Sequence, residues 1–362
     1  MSRAARIAGG FLPVVAGFAV AALLVVLAGE NPLEAFRLIF EGAFGSSDKI
    51  SDTIMVWVPL TLAAAGLVVT FAAGLWNIGV EGQIVLGAIG ASLVAREVDL
   101  APWLLVPLTL VAGMAFGMAW AALAGVLRTH GHVNEIFGGL GLDFVATGLT
   151  IWLIIGPWAR AGIASTSGTE PFPRDSWLPA IGDLRLSPLA VALTLLAVAG
   201  VWILLRGTLF GLKLKAVGRN RQSAHLFGIA THRYMLGAFA ICGALAGLAG
   251  AIQATGFHHK LVPTVSGNYG FLGILVVLLA GFRGARIAPI ALFFAAVAVG
   301  SSQLTLRLGV DSSLGGVLTG VLVLLTVFFA GWRAYRARGR GGPPPEDALT
   351  GDQLAVTADK VG

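Results

Sequence analysis

The chain has 362 residues, of which 57% are hydrophobic and only 12% charged, with a formal net charge of +6. A soluble domain carries about 25% charged residues, so these totals exclude a soluble two-domain enzyme and a disordered regulator, and the single cysteine, Cys242, excludes a disulfide scaffold. The expected solvent is lipid.

Two further totals narrow the class. The 50 glycines are about twice average usage, as expected where helices pack closely inside membranes. The positive charge lies in short segments between apolar runs, with no basic face interleaved with aromatics, so nucleic acid is not an expected partner.

A span needs about 20 apolar residues, each rising about 1.5 Å through a core about 30 Å thick. The first, Ile7–Gly29, follows Arg3 and Arg6. Its run is longer than a signal h-region and no small-x-small site follows, so it is expected to stay as an uncleaved span. An acidic loop with Glu30, Glu34, Glu41, Asp48 and Asp52 leads to the second, Ile54–Trp76.

The next stretch is the most distinctive. Gly74-Leu-Trp-Asn-Ile-Gly-Val-Glu-Gly-Gln83 sets Trp76, Asn77, Glu81 and Gln83 among three glycines. Glycine permits irregular backbone there, and the amides and carboxylate offer hydrogen bonds where lipid offers none. Lining a substrate path is one reading; the other has Glu81 snorkelling at the boundary while the glycines pack helices. The third span, Gly82–Ala95, is short unless it borrows residues before Glu81.

The fourth, Ala101–Leu127, carries Gly113-x-x-x-Gly117, a close-packing face. His130 and His132 follow with no cysteine or carboxylate cluster to complete a metal site, and solvated side chains are expected. The fifth, Ile136–Pro157, is broken only by Asp143, within Gly138-Gly-Leu-Gly-Leu-Asp-Phe144. A charged Asp at a helix centre costs a few kcal/mol on insertion scales, and both a path-lining and a structural role stay open for it. The loop Trp158–Arg185 is expected to pack on the outer face.

The sixth span, Leu186–Leu205, precedes the longest cytoplasmic loop, residues 206–233. There Asn220 is a candidate N-cap and Gly228 a candidate C-cap of a helix of about two turns, with Leu226 and Phe227 as apolar knobs. Such a helix suits lipid headgroups or a groove on a soluble partner. The seventh span, Tyr234–Phe257, contains Gly243-x-x-x-Gly247 and leads to His258 and His259. The eighth, Leu261–Phe282, holds Asn268. The ninth is Ile287–Leu306 and the tenth Ser312–Trp332, with Gly316-x-x-x-Gly320. Residues 1–332 form one transmembrane domain; residues 333–362 read as a basic, then disordered tail.

Ten spans put both termini on one side. That side holds 16 of the Lys and Arg residues and the other 8, which assigns the termini to the cytoplasm. Asn77-Ile-Gly-Val-Glu-Gly82 and Asn268-Tyr-Gly-Phe-Leu-Gly273 share N-x-G-x-x-G, with Asn77 expected near the inner face and Asn268 near the outer. Interrupted segments facing opposite ways mark an inverted repeat; in so Gly-rich a chain three matched positions also arise by chance. No Gly-Lys dipeptide occurs, so no P-loop is present and any ATP-derived energy comes from another subunit.

Gly74–Gln83, Val133-Asn-Glu-Ile136 and Ala216-Val-Gly-x-Asn-x-x-Ser-Ala-x-x-x-Gly-Ile229 resemble the membrane permeases of ABC importers of the ribose and branched-chain amino-acid type, nearest the nucleoside or simple-sugar branch. Ser223 stands where the family usually has Ala, and Asp143 where it has Asn. The resemblance implies an all-helical permease in a bacterial cell (inner) membrane. It pairs with a second permease, often a paralogue, with an ATP-binding subunit and with an extracytoplasmic substrate-binding lipoprotein. It implies no cofactor and no metal. Gly218, Asn220, Ser223, Ala224, Leu226, Phe227 and Gly228 fall in its ATPase-coupling segment, and Trp76, Asn77, Glu81, Gln83, Asp143 and Asn268 are expected along the path. The rival reading is a secondary transporter with Glu81 and Asp143 as a proton relay.

Overall fold

The computed structural model describes residues 29–160 and 166–308, with scattered positions in 19–27 and 316–328. The expected first and tenth spans and the tail lie largely outside these. Every regular element among the described residues is helical. The chain divides into two units, Ser46–Ala295 and the combination of Met1–Gly45 with Ala296–Gly362.

In the larger unit, Ser46 caps α2 (Ser47–Ala72), its hydroxyl accepting from the Lys49 amide; α1 belongs to the smaller unit. Helix α3 runs Val80–Glu97, α4 Pro102–Thr129, α5 Glu135–Ile155 and α6 Pro188–Gly207. Short helices α7 (Leu209–Arg219) and α8 (Arg221–Leu226) precede α9 (Thr231–Ile252), which a π-helical turn extends to His258; α10 is Tyr269–Leu279 and α11 Ile287–Gly300.

Helices apolar all round belong inside. The most apolar stretch of α2 is 94% buried, against 17% for α6, so α2 is central and α6 peripheral. Helices α4 and α5 likewise expose large apolar side chains, among them Trp103, Phe137, Phe144 and Trp152.

Glycines set the central crossing. A methyl group on Gly247 of α9 would overlap the Gly113 carbonyl of α4, one on Gly117 the Gly243 carbonyl, and one on Gly87 of α3 the Gly247 backbone. Two of the three expected G-x-x-x-G faces are therefore internal contacts of this chain. Around Gly316 and Gly320 nothing lies within 4 Å among the described residues.

Among the described residues six helices are long and apolar enough to cross a membrane: Ser47–Ala72, Pro102–Thr129, Glu135–Ile155, Pro188–Gly207, Thr231–His258 and Gly284–Leu304. Helix α3 reaches 18 residues by adding Val80 and Glu81 before Gly82 and Arg96 and Glu97 after Ala95, and so carries three charged side chains. The expected eighth span is corrected. Residues 261–268 are turns, Gly267 and Asn268 both adopt positive φ (53° and 59°), and only the 11 residues of α10 are helical. At about 1.5 Å per residue α10 crosses roughly half of a bilayer core. The expected ninth span, Ile287–Leu306, corresponds to the candidate span Gly284–Leu304, with a one-residue turn at Ser301.

Residues 166–178 pack on the end of α9, the Phe172 amide donating to the His259 carbonyl at 2.8 Å and the Leu178 amide to the Thr255 carbonyl at 3.2 Å. The smaller unit contains a helix where the sequence reading placed only a loop. Helix α1 (Pro32–Phe44) is capped by Asn31, whose side chain accepts from Leu33. It packs against α12 (Ser302–Leu308) through Ile39, Gly42 and Gly300, with Leu304 buried between.

Candidate functional site

Helix α2 stops at Ala72 because Gly74 takes a left-handed conformation (φ 71°) that side chains resist. The chain then runs irregularly through Trp76, Asn77 and Ile78 before α3 opens at Val80. A buried irregular segment needs hydrogen bonds from its own protein, and the polar side chains of this stretch supply them.

Asn77 and Gln83 pair reciprocally, Asn77 Nδ2 donating to Gln83 Oε1 at 3.1 Å and Gln83 Nε2 to Asn77 Oδ1 at 3.0 Å. Asn77 Nδ2 also lies 3.1 Å from Cys242 Sγ on α9. The pair is sealed inside, Asn77 at 1% and Gln83 at 0% exposure.

Two buried carboxylates act across helices. Asp143 of α5 accepts from the Gly82 amide at 2.8 Å and so caps α3. Glu81, in the first turn of α3, accepts from the Gly270 amide at 2.7 Å and so caps α10. The Ser266 hydroxyl and the backbone at Asn268 and Phe271 are also in hydrogen-bonding contact with Glu81. A carboxylate at a helix start satisfies otherwise orphaned N–H groups and meets the positive end of the helix dipole. Glycine makes both approaches possible: a Cβ on Gly82 would lie 2.7 Å from Asp143 Oδ1, and one on Gly270 2.6 Å from Glu81 Oε2.

The two N-x-G-x-x-G stretches therefore meet. Their expected placement on opposite faces is corrected, because α10 is a half-length helix whose start lies against α3. Asn268 itself is exposed, while half-buried Trp76 packs edge-on against Phe71 with ring centroids 5.0 Å apart.

The loop 206–233 reaches this joint directly. A Cβ on Gly218 of α7 would overlap the Ala72 carbonyl, and one on Gly74 would lie 3.1 Å from the Gly218 carbonyl. Asn220 caps α8 as expected, accepting from the Ser223 amide at 2.8 Å, and Gly228 has φ 77°. The helix has six residues, close to the expected two turns, with Ala224 buried beneath and Leu226 and Phe227 exposed at 81% and 86%. Beside it, Arg128 and Glu135 form an ion pair at 2.8 Å.

Residues 49–327 match the family described as branched-chain amino acid transport system, permease component. The chain belongs to this permease family. It is 30% identical to the glucose ABC transporter permease protein TsgB13 of Haloferax volcanii, over 94% of this chain and 93% of that one. It is 26% identical to the guanosine ABC transporter permease protein NupP of Bacillus subtilis, over 86% of this chain and 90% of the relative. Identity to the ribose import permease protein RbsC of Escherichia coli K12 is also 26%, over 84% and 90%. The nucleoside and sugar branch of this membrane permease family is thus where its relatives lie.

Sequence reasoning named the acids but missed what they touch. Gly270 is 189 residues from Glu81. No local pattern pairs them, although an acid and a second glycine-opened helix were both legible.

Proposed function

We propose that this permease is the membrane-spanning subunit of an ATP-driven importer for a small polar solute, a sugar or a nucleoside, working with a separate ATP-binding subunit, a second permease and a solute-binding protein outside. In this reading the full chain crosses ten times, the eighth crossing made by the irregular residues 261–268 together with half-length α10, and both termini lie in the cytoplasm. Relatives named for glucose, guanosine and ribose support the solute class.

One contact carries the mechanism: Gly218 seated on the Ala72–Gly74 turn. Packed elements this close move together, so a push on exposed Leu226 and Phe227 passes through α8 and α7 to the end of α2. There it displaces the joint at Asn77, Glu81 and Gln83. Helix α3 and half-length α10 then shift against each other, and the path alongside them, with Trp76, Asp143 and Asn268, changes the side to which it opens.

The proton-relay alternative is not favoured, since each carboxylate is engaged as a cap and the family is one of ABC permeases. The deciding experiment is uptake of radiolabelled glucose, ribose and guanosine by the assembled transporter in proteoliposomes. ATP-dependent uptake that survives a proton ionophore is expected; uptake that follows the proton gradient with ATP irrelevant would overturn the reading.

A further inference from the structure

Two buried polar atoms of the membrane domain, on side chains that both approach Gly82, have no partner among the described residues. Asp143 is 6% exposed, its Oδ1 accepts from the Gly82 amide at 2.8 Å, and its Oδ2 has no hydrogen-bond partner among the described residues. Trp120 of α4 is the second: its Nε1 is buried and likewise unpartnered. Both side chains approach Gly82, for a Cβ there would lie 2.7 Å from Asp143 Oδ1 and 3.1 Å from Trp120 Nε1. A buried polar atom without a partner is destabilising and calls for a reason. Here an acceptor and a donor on different helices are left over at one place, against the glycine that opens α3.

Resting on the transport reading, we infer that Trp120 Nε1 and Asp143 Oδ2 form a hydroxyl-recognising site on the translocation path, complementary to one hydroxyl of a neutral solute. The complementarity follows from the groups themselves. A hydroxyl donates to the Asp143 oxygen and accepts from the indole N–H, completing both atoms at once. A carboxylate would confront Asp143 and the neighbouring Glu81; an ammonium group would serve Asp143 and leave the indole N–H unmet. The site is closed in this conformation, as both atoms are sealed from solvent, and it opens as α4 and α5 separate at Gly82. Trp120 thereby joins the path as a specificity residue that no sequence motif picks out.

The test uses the assembled transporter in proteoliposomes with saturating solute-loaded binding protein, so that delivery does not limit the rate. Glucose, ribose and guanosine are compared with their monodeoxy analogues in wild type, Trp120→Phe and Asp143→Asn. The Phe variant keeps the ring and removes only the N–H. In wild type, one deoxy analogue is expected to move roughly three- to tenfold more slowly than its parent, the range of one hydrogen bond. Trp120→Phe should bring the parent close to that analogue's rate without slowing the analogue further, and Asp143→Asn should also narrow the gap between them. Equal slowing of parents and all analogues by Trp120→Phe would assign the pair to a water or to packing and overturn the hydroxyl site. So would a wild type indifferent to every hydroxyl. Failure of the wild type to carry any of the three solutes would instead overturn the transport reading, and this site with it.

Discussion

Glu81 and Gly270 are joined by a 2.7 Å hydrogen bond from the Gly270 amide to Glu81 Oε2. The acid stands in the first turn of one helix and caps the first turn of another. With Asp143 on Gly82, it ties α3, α5 and α10 together. The joint is thus fixed by buried hydrogen bonds and glycine clearance, and both are open to substitution.

Glu81→Gln keeps an acceptor for the Gly270 amide, whereas Glu81→Ala removes it. The Ala variant is expected to lose about 1–3 kcal/mol of stability, the range for an orphaned buried donor, and the Gln variant less. Gly270→Ala should rival the Ala variant, since its methyl group would lie 2.6 Å from Glu81 Oε2. Thermal unfolding of the detergent-purified chain checks the order; Gln and Ala behaving alike would refute the capping role.

Asn77 and Gln83 answer each other, so their deletions should not add. Asn77→Ala or Gln83→Ala leaves a buried amide unmatched and is expected to cost about 1–3 kcal/mol, while the double variant should cost clearly less than the sum. A double-mutant cycle on unfolding midpoints measures the coupling.

Much of this architecture was legible in the chain itself. Charge-free runs marked α2, α4, α5, α6 and α9, and glycine spacing marked the α4–α9 crossing, because both signals are local. Asn220 and Gly228 marked the cap and stop of α8 for the same reason. The failures share one cause. The run Leu261–Phe282 is free of charge throughout, so a search for charge-free runs cannot reveal that Gly267 and Asn268 turn the backbone and leave half a span. Helix α1 hid behind its acids, although Asn31-Pro32 is a helix-start pattern. The partners of Glu81, Asp143 and Trp120 come from remote sequence and needed coordinates.

His259 should make the strap of residues 166–178 sensitive to acid. Its ring stacks on Trp177 with centroids 3.7 Å apart, its Nδ1 is 2.9 Å from the Thr255 carbonyl, and its own carbonyl holds the Phe172 amide. Burial holds this imidazole below the ordinary histidine value of 6.5, and nearby Arg185 adds to the effect. A lowered value means the unfolded strap takes up the proton first. The attachment is therefore complete above pH 6.5 and weakens as pH falls through the folded value. Hydrogen exchange at Phe172, corrected for intrinsic rates, should quicken on acidification in wild type and lose that extra dependence in His259→Phe, which keeps the stack.

The sharpest separation of folding from coupling lies between Leu226, Phe227 and Gly218. Leu226→Asp and Phe227→Asp alter side chains that are 81% and 86% exposed, so unfolding of the isolated chain should shift by less than about 0.5 kcal/mol. Uptake should nonetheless fall at least tenfold, with loss of the ATP-binding subunit on co-purification, because an apolar knob has become a charge at a docking groove. Gly218→Ala acts one step inward. Its methyl group overlaps the Ala72 carbonyl and forces α7 away from the turn, so the ATP-binding subunit should still co-purify while ATP hydrolysis continues without matching uptake. Retained coupling in Gly218→Ala would mean that force reaches the joint by another contact; lost co-purification would mean that Gly218 merely shapes the docking face.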